Sequence, residues 1–165
     1  MNTTGVVGGS QASASWLMCR IGDRLLAVPL GYVIETMRPL ARQDVSGVPE
    51  FILGVSLIRG VAVPVIDVAA VLGTPGGPID RLVTITLDDR VVALAVGAVL
   101  GLRTLDEAIL HDVPPLLGAV DRNVLAAIGT LDSGLLLVLG TARLVSDQVW
   151  AQLDDAVPVT AGAAS

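Results

Sequence analysis

Short apolar runs recur along the chain and are cut by turn-forming stretches: GDR at 22–24, TPGGP at 74–78, DDR at 88–90 and DSG at 132–134. Runs rich in Val, Leu and Ile between such breaks predict mainly antiparallel strands. The clearest case is LVTITLDDRVVALAV, residues 82–96, where Val83, Ile85 and Leu87 alternate with Thr84 and Thr86 before Asp88-Asp89. That alternation, followed by a turn and a second apolar run, predicts a hairpin. WLMCRIG around Cys19 alternates in the same way, and DSGLLLVL at 132–139 reads as a turn feeding a buried strand. Helical spacing is scarce. VAAVLG at 68–73 allows one or two turns ended by glycine, and TARLVSDQVWAQL at 141–153 places Leu144, Val145, Val149 and Leu153 on one helical face. The expected fold class is mainly β with a short C-terminal helix.

Two longer-range features organise the chain. Residues 1–14 and 154–165 are small, polar and rich in Gly, Ala and Pro, which predicts a disordered N-terminal tail, a folded region over 15–153 and a flexible C-terminal tail. VPVIDVAAVL at 63–72 also lies over LLVLGTARLV at 136–145: a buried strand, a small or acidic residue, then a segment ending in two apolar residues. The repeat implies two similar halves, each a small sheet or barrel that finishes with a strand and a helical turn.

Composition narrows the setting. The 165 residues suit one domain or two small joined ones, and 53% of them are hydrophobic. The longest strongly apolar run, Val91–Leu102, has 12 residues, short of the roughly 18 or more that span a bilayer as a helix. With no basic, apolar leader at the start, the expected location is cytoplasmic. The ten basic residues are all arginines, spread without clusters, and the net charge is −6. A nucleic-acid partner, which needs a basic face, is not expected.

Candidate chemistry is sparse. Enzymes need groups that move protons, hold metals or attack carbonyls, and the chain has one histidine, His111, beside Asp112 and Pro114-Pro115. The single cysteine, Cys19, reads as a core thiol, and no second His or Cys is placed with it for a zinc site. There is no lysine, hence no Schiff-base nucleophile and no phosphate-loop lysine. Ser56 in GVSLI lacks the following glycine of a nucleophile elbow. The acid pairs Asp88-Asp89, Asp106-Glu107 and Asp154-Asp155 read as solvated charge in turns or tails. The expectation is a protein that is not an enzyme, has no cofactor and no metal, and works by contact.

One charge resists that description. In SLIRGVAVPVID, residues 56–67, Arg59 stands in an otherwise apolar run. A guanidinium there either meets a carboxylate or snorkels to solvent from a strand edge, because an unpaired buried charge is costly.

LLAVPLGYVIETMR at 25–38, EFILGVSLIRGVAVPVIDV at 50–68 and DDRVVALAVGAVLGL at 88–102 resemble, in that order, the CheW-like family of chemotaxis coupling proteins. The resemblance implies two five-stranded, SH3-like β-barrel subdomains around a shared core. It implies a scaffold without catalytic activity that joins chemoreceptors, at the tip of their cytoplasmic hairpin, to the CheW-like regulatory domain of a CheA-type histidine kinase, recruited to receptor arrays at the inner membrane. In the family the arginine of L-R-G pairs with the glutamate of V-x-E, which here are Arg59 and Glu35. The family's receptor-contact positions fall on Val33, Glu35, Val99 and Leu102, of which Val99 and Leu102 are also readable as ordinary core residues; Arg59 completes the expected partner-binding set. The sequence departs from the pattern at Leu57, where the family usually has asparagine, and at Gly97-Ala98, where it often has two acids. Both departures remove polar groups near the expected contact surfaces. Two roles therefore stand side by side: a receptor–kinase coupling scaffold, and a regulatory module of another pathway, such as twitching motility or development, with a different kinase or a response-regulator partner.

Overall fold

Why the run Arg90–Val96 shows no clean alternation becomes plain from its place in the fold: Val92 to Val96 are all buried, because both faces of that strand are covered. The computed structural model describes residues 13–111, 125–132, 134–140 and 144–156. In chain order the strands are β1 (Ser13–Ile21), β2 (Arg24–Pro29), β3 (Val33–Met37), β4 (Ile52–Ile58), β5 (Val61–Asp67), β6 (Arg81–Leu87), β7 (Arg90–Val96), β8 (Ala98–Asp106), β9 (Leu110–His111), β10 (Leu125–Leu131) and β11 (Gly134–Leu139). Helix α1 (Val68–Val71) follows β5, and helix α2 (Asp147–Ala156) follows β11.

The strands form two sheets. One has six strands in the order β8-β1-β2-β11-β10-β9, the other five in the order β3-β6-β7-β5-β4. Strand period then divides the side chains among three cores. Leu17, Cys19 and Ile21 of β1, Leu26 and Val28 of β2, and Leu137 and Leu139 of β11 face a core shared between the sheets. They meet Val83 and Ile85 of β6 and Val92, Leu94 and Val96 of β7 from the other side. The alternate residues, Leu82, Ala93 and Ala95 with Val63 and Val65, fill a core enclosed by the five-stranded sheet. Met18, Ala27, Leu136 and Val138 do the same in the six-stranded sheet. Two SH3-like barrels thus pack about a common core, and each buried Val or Leu in it contributes roughly 1.5–3 kcal/mol of transfer free energy.

The internal repeat has a structural counterpart with an exchange. Both sheets contain a hairpin (β1-β2 or β6-β7), a strand parallel to its second member (β11 or β5) and two further strands (β8 and β10, or β3 and β4), with β9 added as a sixth strand to the first sheet where five are expected. The β1-β2 hairpin, however, belongs with strands from the end of the chain, and β3, β4 and β5 join the later hairpin β6-β7. Each half of the sequence is therefore split between the barrels and does not build one of its own. Residues 141–143 of the second repeat copy lie outside the described residues.

The helices show how local signals set boundaries. Asp67 caps α1, its Oδ1 accepting from the Ala70 N–H, and Gly73 at φ 66° follows the helix. Helix α2 starts at Asp147, later than the apolar spacing predicts, because Ser146 Oγ accepts the Val149 N–H at 3.3 Å. Leu144 and Val145 are buried but precede the helix. At its other end α2 runs through Asp154 and Asp155 to Ala156, and β1 opens at Ser13, so ordered structure reaches slightly beyond the 15–153 bounds read from composition. Asp154 is held by Arg90, whose Nη1 and Nη2 donate to its two carboxylate oxygens at 3.0 and 2.9 Å. The same guanidinium lies 4.4 Å from the centre of the Trp150 ring. Arg90 thereby reads an i, i+4 pair on α2 while Val149 and Leu153 bury the neighbouring face. Both charged side chains are about 40% exposed, so solvent screening limits the pair to roughly 0.2–1 kcal/mol, with a similar contribution from the ring.

Candidate adaptor surface

Arg59 does not lie in a strand. It is the first residue of the two-residue turn between β4 and β5, at φ 50°, with Gly60 at φ 80°. Two positive φ angles make the primed turn whose twist matches a hairpin, and Arg-Gly fills it at the cost of one strained non-glycine residue. From that corner the guanidinium reaches Glu35 in a bidentate fork, Nε to Oε2 at 2.7 Å and Nη2 to Oε1 at 2.8 Å. The pair spans the barrel: β3 and β4 are opposite edges of the five-stranded sheet. Arg59 is 76% exposed and Glu35 26%, so the guanidinium meets the expected carboxylate, but on the rim and from a turn instead of from within a strand.

Backbone contacts close the seam below the pair. Gln43 and Val55 exchange both backbone hydrogen bonds at 2.8 and 2.9 Å, and Ser56 Oγ donates to the Ala41 carbonyl at 3.0 Å. Gly54 permits this approach: at φ 146°, a Cβ there would lie 2.6 Å from the Gln43 carbonyl oxygen. Thr84 Oγ1 donates to the Glu35 carbonyl at 3.2 Å, which fixes the acid from behind. The Arg59 hydrogen bonds, with its charge adding to them, hold the Glu35 carboxyl below the usual glutamate range, and Glu35 raises Arg59 in turn.

The other expected contact residues fall into a related pattern. Val33 pairs with Ile85 and Val99 with Cys19; both are half-buried against the shared core. Immediately after each, the register shifts by one residue, leaving Ile34 and Leu100 as unpaired bulge positions that are 51% and 48% exposed. Val33 and Val99 are thus equivalent positions of the two barrels, brought onto one core. Leu102 lies opposite Leu17 on the same face but is 61% exposed, since it stands past the edge of that core. Leu57, on the face that carries Val55 into the shared core, is 69% exposed, and Val61 beside the Arg59 turn is 57% exposed.

Ile34 and Leu100 are absent from the residues singled out by sequence. Their signal is a pair of adjacent apolar residues ahead of a polar or glycine position, VIE and VLG, which breaks a strict alternation. Gly97 needs a different reading from a lost contact group. It is half-buried, its N–H donates to the Arg20 carbonyl at 2.8 Å, and a Cβ would come within 3.1 Å of that oxygen and 3.3 Å of the Pro78 carbonyl. Backbone crowding accounts for glycine at this crossing.

Burial pushes the Cys19 thiol up to about 12, far from a reactive thiolate. A cavity lined by Ile21, Gly22, Asp67 and Gly97 holds about 30 Å³, the volume of one water and well under the roughly 300–1,000 Å³ of ligand sites. His111 is exposed on β9, and among the described residues no group of three or more His, Cys, Asp and Glu gathers as a metal site would require. This surface offers a rim of apolar side chains beside the Arg59–Glu35 ion pair.

The CheW-like domain model matches residues 15–149. A probable chemotaxis protein CheW from Rhizobium etli is 29% identical over 141 residues, covering 84% of this chain and 91% of that protein. Protein FrzA from Myxococcus xanthus is 34% identical over 102 residues, 60% of this chain and 62% of the relative. Among solved structures, the scaffolding protein TtCheW from Thermoanaerobacter tengcongensis superposes with a TM-score of 0.68 at 20% identity, over 81% of this chain and 94% of that one, a likeness of fold. The chain therefore belongs to the CheW-like domain family, the family of the chemotaxis coupling proteins.

Proposed function

We propose that this protein is a non-enzymatic adaptor that couples chemoreceptors to a CheA-type histidine kinase, in the cytoplasm and at receptor arrays on the inner membrane. One observation carries the reading: the shared-core face of each barrel continues past the opposing sheet, so that Leu57 and Leu102 stay 69% and 61% exposed on strands whose neighbouring residues are core. Apolar surface left uncovered in this way suits a partner helix, which a few anchors hold. Val33, Val99 and Leu102 would meet the tip of the receptor's cytoplasmic hairpin, with Glu35 and Arg59 fixing the rim beside them. The kinase would dock barrel against barrel through its own CheW-like domain. No helix among the described residues is long and apolar enough to cross a membrane, so attachment to an array would come through these partners.

Leu57 favours a second reading. An exposed leucine in place of the family's asparagine alters the hairpin that carries Arg59, which suits a CheW-like module with another pathway's kinase or response regulator as partner. Association with a CheA-type kinase from the protein's own source separates the two. The coupling role predicts binding at tens of micromolar or tighter, roughly −6 kcal/mol. No association at that concentration removes it.

A further inference from the structure

The five-stranded barrel is not alone in having a clasp on its rim. In the six-stranded sheet Arg103, on edge strand β8, donates from Nη1 to Asp132 Oδ2 at 2.8 Å. Asp132 is the first residue of the turn between β10 and β11. The strand orders β3-β6-β7-β5-β4 and β8-β1-β2-β11-β10 correspond one to one, which sets β8 against β3 and the β10-β11 turn against the β4-β5 turn. Backbone geometry follows the correspondence: Asp132 has φ 52° where Arg59 has φ 50°. The two barrels thus carry the same side-chain device with the charges exchanged, an acid on the strand and an arginine in the turn of one, the reverse in the other.

Strand β8 has reason to need such a tether. Among the described residues it is an edge strand, held by backbone hydrogen bonds to β1 alone, and its register slips at the Leu100 bulge next to Gly101 at φ 120°. Leu102 directly precedes Arg103. With side chains 47% and 69% exposed, the Arg103–Asp132 pair contributes little to global stability, as exposed pairs generally do, so its effect falls on the local conformation of the strand. We propose that Arg103 and Asp132 form a positioning clasp that holds β8 in the bulged conformation presenting Val99 and Leu102 to a receptor helix. This rests on the receptor-contact reading above and adds two residues to it, neither of them an apolar anchor.

The test uses Asp132→Asn, which keeps a residue type tolerant of positive φ and removes the charge, and the exchange Arg103→Asp with Asp132→Arg. An arginine is compatible with that turn position, as Arg59 shows at its counterpart. Amide hydrogen exchange across β8 and binding of the cytoplasmic fragment of a chemoreceptor from the protein's own source are the two readouts. In Asp132→Asn, exchange in residues 98–106 is expected to speed by about tenfold and fragment binding to weaken at least fivefold, with the melting temperature nearly unchanged; the exchanged double variant should restore both. Unchanged exchange in Asp132→Asn, or a double variant no better than the single, would overturn the clasp. A wild-type protein that binds no receptor fragment would count against the coupling reading, and the exchange readout would still decide for or against the clasp.

Discussion

Replacing Leu94 with alanine is expected to remove about 3–5 kcal/mol of stability, the upper part of the range for a large-to-small change in a core. Leu94 has no exposed surface, sits in the middle of β7 and faces the core that both sheets share. The surrounding strands are paired on both sides of β7, so they cannot collapse into the space left behind. Since a domain of this size has a net stability of about 5–15 kcal/mol, the loss is a large fraction of the whole. The distribution of the effect matters as much as its size. If the barrels share one core, urea denaturation followed by circular dichroism and by tryptophan fluorescence, from Trp16 in β1 and Trp150 in α2, should move as one transition. Two separated transitions, with only the five-stranded barrel weakened, would contradict the shared core. Leu57→Ala serves as the control: at 69% exposure it should change stability by no more than about 0.5 kcal/mol.

Leu102→Asp should act on the opposite quantity. At 61% exposure, the leucine contributes little to folding, so the melting temperature should shift by only a few degrees. As an anchor for a receptor helix it is expected to supply about 2 kcal/mol or more, which places binding of the receptor fragment some thirtyfold weaker or beyond detection while kinase association persists. Val33→Asp is a less clean test than its position in the motif implies, because Val33 is packed against the shared core and its loss mixes folding with contact. Intact receptor binding by a folded Leu102→Asp protein would show that this edge of the surface receives no receptor.

How much of this could be read from the residues alone differs by scale. The β6-β7 hairpin was legible because alternating Val and Thr ahead of Asp88-Asp89 is a purely local pattern, and Asp88 at φ 58° takes the turn conformation those acids tolerate. The exchange of hairpins between the barrels was not legible. Which sheet β1-β2 joins is decided by burial against β11, a partner more than a hundred residues away in the chain, and no local signal carries that. Arg59 shows the intermediate case. Its charge in an apolar run marked it as meaningful, but the Arg-Gly turn was hidden because a non-glycine residue at positive φ is uncommon. The bulges at Ile34 and Leu100 escaped for a similar reason: one extra residue inverts the faces, and a period-two reading assigns the following positions to the wrong side. At the C-terminal helix, apolar spacing located the buried Val149 and Leu153, whereas the start was set by the Ser146 cap and Asp154, read as a tail charge, lies within the helix and pairs with Arg90.

Coupling of receptor to kinase is decided by co-sedimentation. Receptor cytoplasmic fragments assembled on vesicles are mixed with a CheA-type kinase from the same source, with and without this protein, and the pelleted kinase is measured. A coupling adaptor brings the kinase into the receptor-bearing pellet when it is present, and Leu102→Asp is expected to abolish this recruitment without preventing the binary contact with the kinase. Kinase recruitment that is equal with and without the protein, or a protein that pellets with neither partner, would contradict it.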